Sequence, residues 1–256
     1  MLPETCSTPA LRRPARAPRA GLAALVALSL ACAPVGAARA ESVDEAPQPF
    51  EPIDGIPSEW MAALNSYVVD PATNGPRLIA IDRESGGELP PLFQVVTADA
   101  YLRSGNRRAA ERLFERVLAS DPGYPWEDFG NLGMGTTRMM AGDSAAAEQY
   151  FGRVADATEG SSRALGNLGL GSALAADGRF EEARAAFDAV GSSTSVDEEV
   201  RQAGRFGSAS ALYGSGDVEG AAEAFEAIAA SDPDGPIGRD ARYAAARARL
   251  ALGERD

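Results

Sequence analysis

The chain has 256 residues, with 24 basic and 37 acidic side chains, a net charge of −13 and no histidine. Every base is an arginine. The acidity argues against nucleic acid or an anionic membrane surface as a partner, since both draw on clustered basic side chains. The missing histidine excludes Ser-His-Asp triads, His-bound metals and the HExxH zinc site.

Residues 1–40 have the three-part layout of a secretory signal peptide. Arg12, Arg13, Arg16 and Arg19 form a positive start, Gly21 to Ala31 is apolar, and Ala38-Arg39-Ala40 places small residues two apart before Glu41. The apolar run of 11 residues is too short to span a bilayer, which takes roughly 20. Ser29-Leu30-Ala31-Cys32 resembles a bacterial lipoprotein box, which implies lipidation at Cys32 as a second processing route. It departs from that pattern with Ser29 where Leu is usual, so cleavage after Ala40 is preferred. Both routes predict an exported protein, periplasmic or secreted in one case and a membrane-anchored lipoprotein in the other. The two cysteines, Cys6 and Cys32, lie inside the leader, so cleavage after Ala40 leaves no thiol for a disulfide, zinc site or nucleophile. It also removes five Arg and one Glu and takes the net charge from −13 to −17.

Residues 41–57 hold Pro47, Pro49, Pro52 and Pro57 among acidic residues and read as an extended tether. Residues 58–90 read as a helix followed by an irregular capping segment. Trp60, Met61, Leu64, Tyr67 and Val68 fall at helical spacing from Ser58 to Val69, with Ser58 as the candidate N-cap. Asp70-Pro71 stops that helix. Pro76 to Ile81 fits either a short extended piece or a second short helix, and Gly86, Gly87, Pro90 and Pro91 break the chain. Trp60 and Tyr67 are expected to cover the open end of the helical stack that follows.

Residues 91–256 carry a register that recurs four times. Gly105, Ala110, Phe114 and Val117 return as Gly142, Ala147, Phe151 and Val154, then Gly178, Ala183, Phe187 and Val190, then Gly216, Ala221, Phe225 and Ile228. The copies lie 37, 36 and 38 residues apart, a period that marks stacked helical repeats. Each copy holds two helical stretches, which in the first copy run from about Leu92 to Ser104 and from Arg107 to Ala119. The glycines end the first helix at a positive φ, the alanines allow close helix approach, and the phenylalanines fill the space beside them. Pro122 and Pro233 stop second helices, and Ser195 with Glu198 has capping-box spacing. Arg239 to Leu252 reads as a closing helix whose Tyr243, Ala246 and Leu250 face the stack, ended by Gly253.

The pattern resembles the tetratricopeptide repeat, on Tyr101, Gly105, Ala110, Phe114 and Pro122 in the first copy and on the small residues Gly135, Gly171 and Ala209 in the later ones. It departs from that family in Ala98, which replaces a common Gly, and in copies two to four, which lack the family's Trp and first-helix Tyr. The resemblance implies an all-α, right-handed solenoid of about four helix-turn-helix repeats plus a closing helix. It also implies that the first helices line a concave groove. Their exposed positions would be Asp99, Leu102 and Arg103; Leu132, Thr136, Met139 and Met140; Leu168, Ser172 and Ala175; and Phe206, Ser210 and Tyr213. Met and aromatic side chains suit a protein segment, peptide or helix, as ligand. The family's terminal-carboxylate ligand is disfavoured, because the matching places are mostly apolar or small.

No catalytic, cofactor-binding or metal-binding residue is assigned. The repeated stretches Asn131-Leu132-Gly133-Met134-Gly135 and Asn167-Leu168-Gly169-Leu170-Gly171 lack the lysine and preceding strand of a phosphate loop, and their period points to helix packing. Carboxylate groups such as Asp197/Glu198/Glu199 and Asp232/Asp234 sit at expected helix starts and turns, where negative charge is favourable by itself. The leading expectation is a non-enzymatic exported scaffold that binds a protein segment and supports assembly of a cell-envelope complex. The alternatives are an accessory module binding cell-wall glycan or an enzyme, and a self-associating structural array. Oligomeric state stays open.

Overall fold

The computed structural model describes residues 50–123, 125–156 and 160–253, and every regular element among them is an α-helix. The signal peptide, Cys32 and most of the tether lie outside the described residues. The helices are α1 (Ser58–Val69), α2 (Pro71–Glu84), α3 (Pro91–Arg103), α4 (Arg107–Ala119), α5 (Trp126–Met140), α6 (Ser144–Ala155), α7 (Ser161–Ala176), α8 (Phe180–Gly191), α9 (Glu198–Ser215), α10 (Val218–Ser231) and α11 (Pro236–Ala251).

Helices α3 to α10 form four hairpins. The first helix of each packs on the first helix of the next, and each second helix packs between the two first helices that flank it. Such wedging puts the row of first helices on the inner side of a solenoid. The turn between paired helices is the same each time. Gly105, with φ +79, donates to the Leu102 carbonyl at 2.9 Å, and Asn106 N–H reaches back to the Tyr101 carbonyl at 2.8 Å. These bonds satisfy the last carbonyls of α3, and a side chain at that φ would be strained. Asn106 then caps α4 by accepting from Ala109 N–H, as Asp143 and Asp217 do for α6 and α10.

The repeated side chains make the core. Ala110, Ala147, Ala183 and Ala221 are fully buried, and Phe114, Phe151, Phe187 and Phe225 lie beside them. Each phenylalanine occupies a slot made by two first helices. A Cβ on Gly135, in the repeat of Phe151, would stand 2.6 Å from that ring; one on Gly169, in the next repeat, would stand 2.3 Å away. Phe187 has the same relation to Gly171 and Gly207, at 2.8 and 2.5 Å. The paired glycines in residues 131–135 and 167–171 therefore admit two successive phenylalanine rings. Polar clasps also join neighbouring repeats: Arg179 bonds Glu148 at 2.7 Å, Arg138 pairs with Glu111, and Arg249 donates to Glu226 through Nε and Nη2.

Three local expectations change. Residues 71–84 are helical, because Gly75, Leu78 and Ile81 bury one face even with Pro76 in the interior. Asp70 ends α1 and caps α2 by accepting from Thr73 N–H, whereas α1 follows Pro57 and gains no cap from Ser58. Ser195 makes no capping box: its hydroxyl pairs with Ser193, Asp197 precedes α9, and Glu198 engages Arg201 and Arg205.

Candidate protein-binding face

Three inner-side positions recur on the first helices at the repeat spacing. Their accessibility rises along the chain. In α3 every residue from Leu92 to Leu102 is buried, because α1 and α2 pack over this end. Trp60 lies against Phe93 with ring centroids 5.6 Å apart. Tyr67, 0% exposed, donates its hydroxyl to Asp99 Oδ2 at 2.6 Å, and Arg103 Nε donates to the same oxygen at 2.9 Å. Burial pushes the Tyr67 hydroxyl above the ordinary tyrosine range, and the Asp99 charge adds to that shift. Asp99 thus fastens α1 to α3 and does not line an open groove, while Arg103 stays exposed with its Nε held on Asp99.

Helix α5 is also largely interior. Leu132 is 0% exposed within the main core, and Thr136 is buried with its hydroxyl donated to the Leu132 carbonyl at 2.9 Å. The expectation that Leu132 and Thr136 present an accessible surface is therefore not met. Met139 is half-buried, and Met140 is 49% exposed. Arg107 donates to the Met140 carbonyl at 3.2 Å, and a shallow depression forms among Met140, Gly105, Asn106 and Arg108.

Further along, Leu168, Ser172 and Ala175 in α7 and Phe206, Ser210 and Tyr213 in α9 are all half-buried. Ser172 and Ser210 turn their hydroxyls back to the Leu168 and Phe206 carbonyls, each at 2.8 Å. Phe206 also packs against Phe225 in a tilted arrangement, with centroids 5.1 Å apart. What remains accessible is a stripe from Met139 through Leu168 and Ala175 to Phe206 and Tyr213. No charged side chain occupies these positions.

The helical spacing of Tyr243, Ala246 and Leu250 points them toward the stack, and the structure differs. Instead Ala241, Ala245 and Ala248 face inward, while Tyr243 is 69% and Leu250 63% exposed. The signal was present in the sequence. Gly253, with φ +84, lies 37 residues after Gly216 and continues the turn register. The same step carries Phe206, Ser210 and Tyr213 onto Tyr243, Arg247 and Leu250. Tyr243 and Leu250 therefore continue the accessible edge of the inner row.

Among the described residues no group of three or more metal-ligating side chains is arranged to hold an ion, and no helix is long and apolar enough to cross a membrane. A family comparison matches the tetratricopeptide repeat over residues 95–125, 132–195 and 206–255, more than half of the chain. The chain belongs to the tetratricopeptide repeat family. Helices α1 and α2 precede the matched stretches, and α11 falls within the last of them. No curated protein and no solved structure matches in the corresponding comparisons. Tetratricopeptide repeats indicate a protein–protein interaction scaffold, and the fold is typically non-catalytic.

Proposed function

We propose that the chain is an exported bacterial adaptor that holds a protein segment against the inner row of its repeats and supports assembly of a cell-envelope complex. The observation that carries this reading is the uncharged, partly accessible stripe of Met139, Leu168, Ala175, Phe206 and Tyr213 on an interaction scaffold. The hydroxyls of Ser172 and Ser210 beside it are spent on their own helices' carbonyls, so apolar contact is the main interaction the stripe offers. An apolar segment, extended or helical, fits better than a ligand held by charge. The export part rests on the leader, with its arginines, apolar run and Ala38-Arg39-Ala40 site.

The test compares partners recovered from envelope extracts by the wild-type protein and by a Met139→Glu/Tyr213→Glu double variant. Loss of the wild-type partners by a folded variant supports the reading, and equal recovery refutes the stripe as the binding face. Intact mass of the exported protein tests processing. A chain beginning at Glu41 supports cleavage after Ala40, and a lipid adduct on Cys32 supports a membrane tether.

A further inference from the structure

Among the described residues, no helix covers one face of α11. In the fourth repeat, Phe206, Ala209 and Tyr213 border the second helix α10, whose Phe225 packs among them. Their counterparts one period later are Tyr243, Ala246 and Leu250, and all three are exposed. Ala209 is buried under its second helix, but no helix covers Ala246 among the described residues. Tyr243, Ala246 and Leu250 are spaced i, i+3 and i+7, which makes one continuous ridge. Four preceding hairpins show what this scaffold packs on such a ridge: an amphipathic helix with a phenylalanine at its centre.

The charge around the ridge selects the kind of helix. Arg239, Arg242 and Arg247 are exposed beside it, in a chain with a net charge of −13. Their contacts are neutral. Arg239 and Arg242 donate to the Asp234 and Pro233 carbonyls, and Arg247 lies 5.9 Å from the centre of the Tyr243 ring. No ion pair joins these three to a carboxylate among the described residues. Two copies meeting symmetrically on this face would oppose arginine to arginine, which disfavours self-pairing.

We infer that α11 is a docking site for an acidic amphipathic helix of a partner protein, which lies on Tyr243, Ala246 and Leu250 as the second helix of a fifth repeat and sets its carboxylates against Arg239, Arg242 and Arg247. This ridge lies one repeat beyond the stripe of the proposed function, at the equivalent positions of α11. An apolar side chain of the partner fills the space over Ala246, as Phe225 does over Ala209. Steering by the arginines weakens with salt, while the apolar contact does not.

The probe is a blocked, fluorescently labelled peptide of the chain's own residues Val218–Ser231, with three glutamates, no base and the buried set Ala221, Phe225 and Ile228. The control peptide is Arg107–Ala119, with four arginines and two glutamates. Both are titrated against the full chain by anisotropy. The acidic peptide is expected to bind saturably at one site and to gain helicity, since a free helix of this length is marginal. Leu250→Glu, Arg247→Glu and exchange for the basic peptide are each expected to weaken binding about tenfold or more. Met139→Glu, in the stripe but packed against the core of the first repeats, is expected to leave the peptide's affinity unchanged. Absence of saturable binding overturns the inference. Equal binding by Leu250→Glu also overturns it, because the peptide then replaces α10 instead of covering α11. A loss confined to Met139→Glu places the peptide on the inner stripe, and a dimer dissolved by Leu250→Glu makes a second copy the occupant; either result overturns the proposal.

Discussion

The phenylalanine slots make opposite predictions for two glycine-to-alanine changes in helices. Gly169 lies inside α7, where helix propensity alone favours alanine by about 1 kcal/mol. The added Cβ would stand 2.3 Å from Phe151 Cδ1, whereas carbon atoms touch comfortably at about 3.5–4.0 Å. The ring has little room to give, because α5 also closes on it: a Cβ on Gly135 would meet its Cε1 at 2.6 Å. Overpacking of this kind costs about 1–3 kcal/mol, and the overlap here puts it at the upper end. After the propensity gain, Gly169→Ala is expected to destabilise by about 1–2 kcal/mol, or about 3–6 °C in Tm for an array of this size. Gly152, inside α6, is the control: a Cβ there meets nothing within 4 Å, so Gly152→Ala is expected to stabilise by about 0.5–1 kcal/mol. Urea unfolding followed by far-UV circular dichroism measures both. In a Phe151→Leu background the Gly169→Ala cost should fall by about 1 kcal/mol, which ties the effect to that ring. A Gly169→Ala protein as stable as wild type would refute the slot as the reason for the repeated glycines.

Leu132→Ala is expected to cost about 2–5 kcal/mol in the same denaturation experiment, because the side chain is fully buried. A change within about 0.5 kcal/mol would restore Leu132 to the surface. Tyr67→Phe removes the hydroxyl that Asp99 accepts from and is expected to cost about 1–3 kcal/mol at neutral pH. Because the folded Tyr67 hydroxyl titrates above its unfolded value, its contribution is complete below about pH 10 and is lost as pH rises beyond that. Thermal unfolding between about pH 8 and 11.5 should therefore fall more steeply for wild type than for Tyr67→Phe, and parallel curves would contradict the buried hydroxyl bond.

Helix existence, the turn glycines and the identity of the packing residues were legible in the chain. Gly105, Ala110, Phe114 and Val117 recur at constant offsets because each repeat must solve the same contact, and a repeated physical demand leaves a repeated residue. The family followed from that recurrence. Which faces stay wet did not. Leu132 and Phe206 occupy equivalent places, yet one is fully enclosed and the other half-open. Tyr243 and Leu250 look like core residues at helical spacing, but they stand exposed in α11 because burial depends on which neighbouring helix arrives. Asp99 reads as a polar groove residue until Tyr67, 32 positions earlier, is brought against it. Local spacing determines helix, turn and register because their hydrogen bonds and φ restraints reach only a few residues. Accessibility is a sum over elements distant in sequence, so only the stacked tertiary structure decided that Met139, Leu168, Phe206 and Tyr213 stay partly accessible and that Tyr243 and Leu250 of α11 stand exposed.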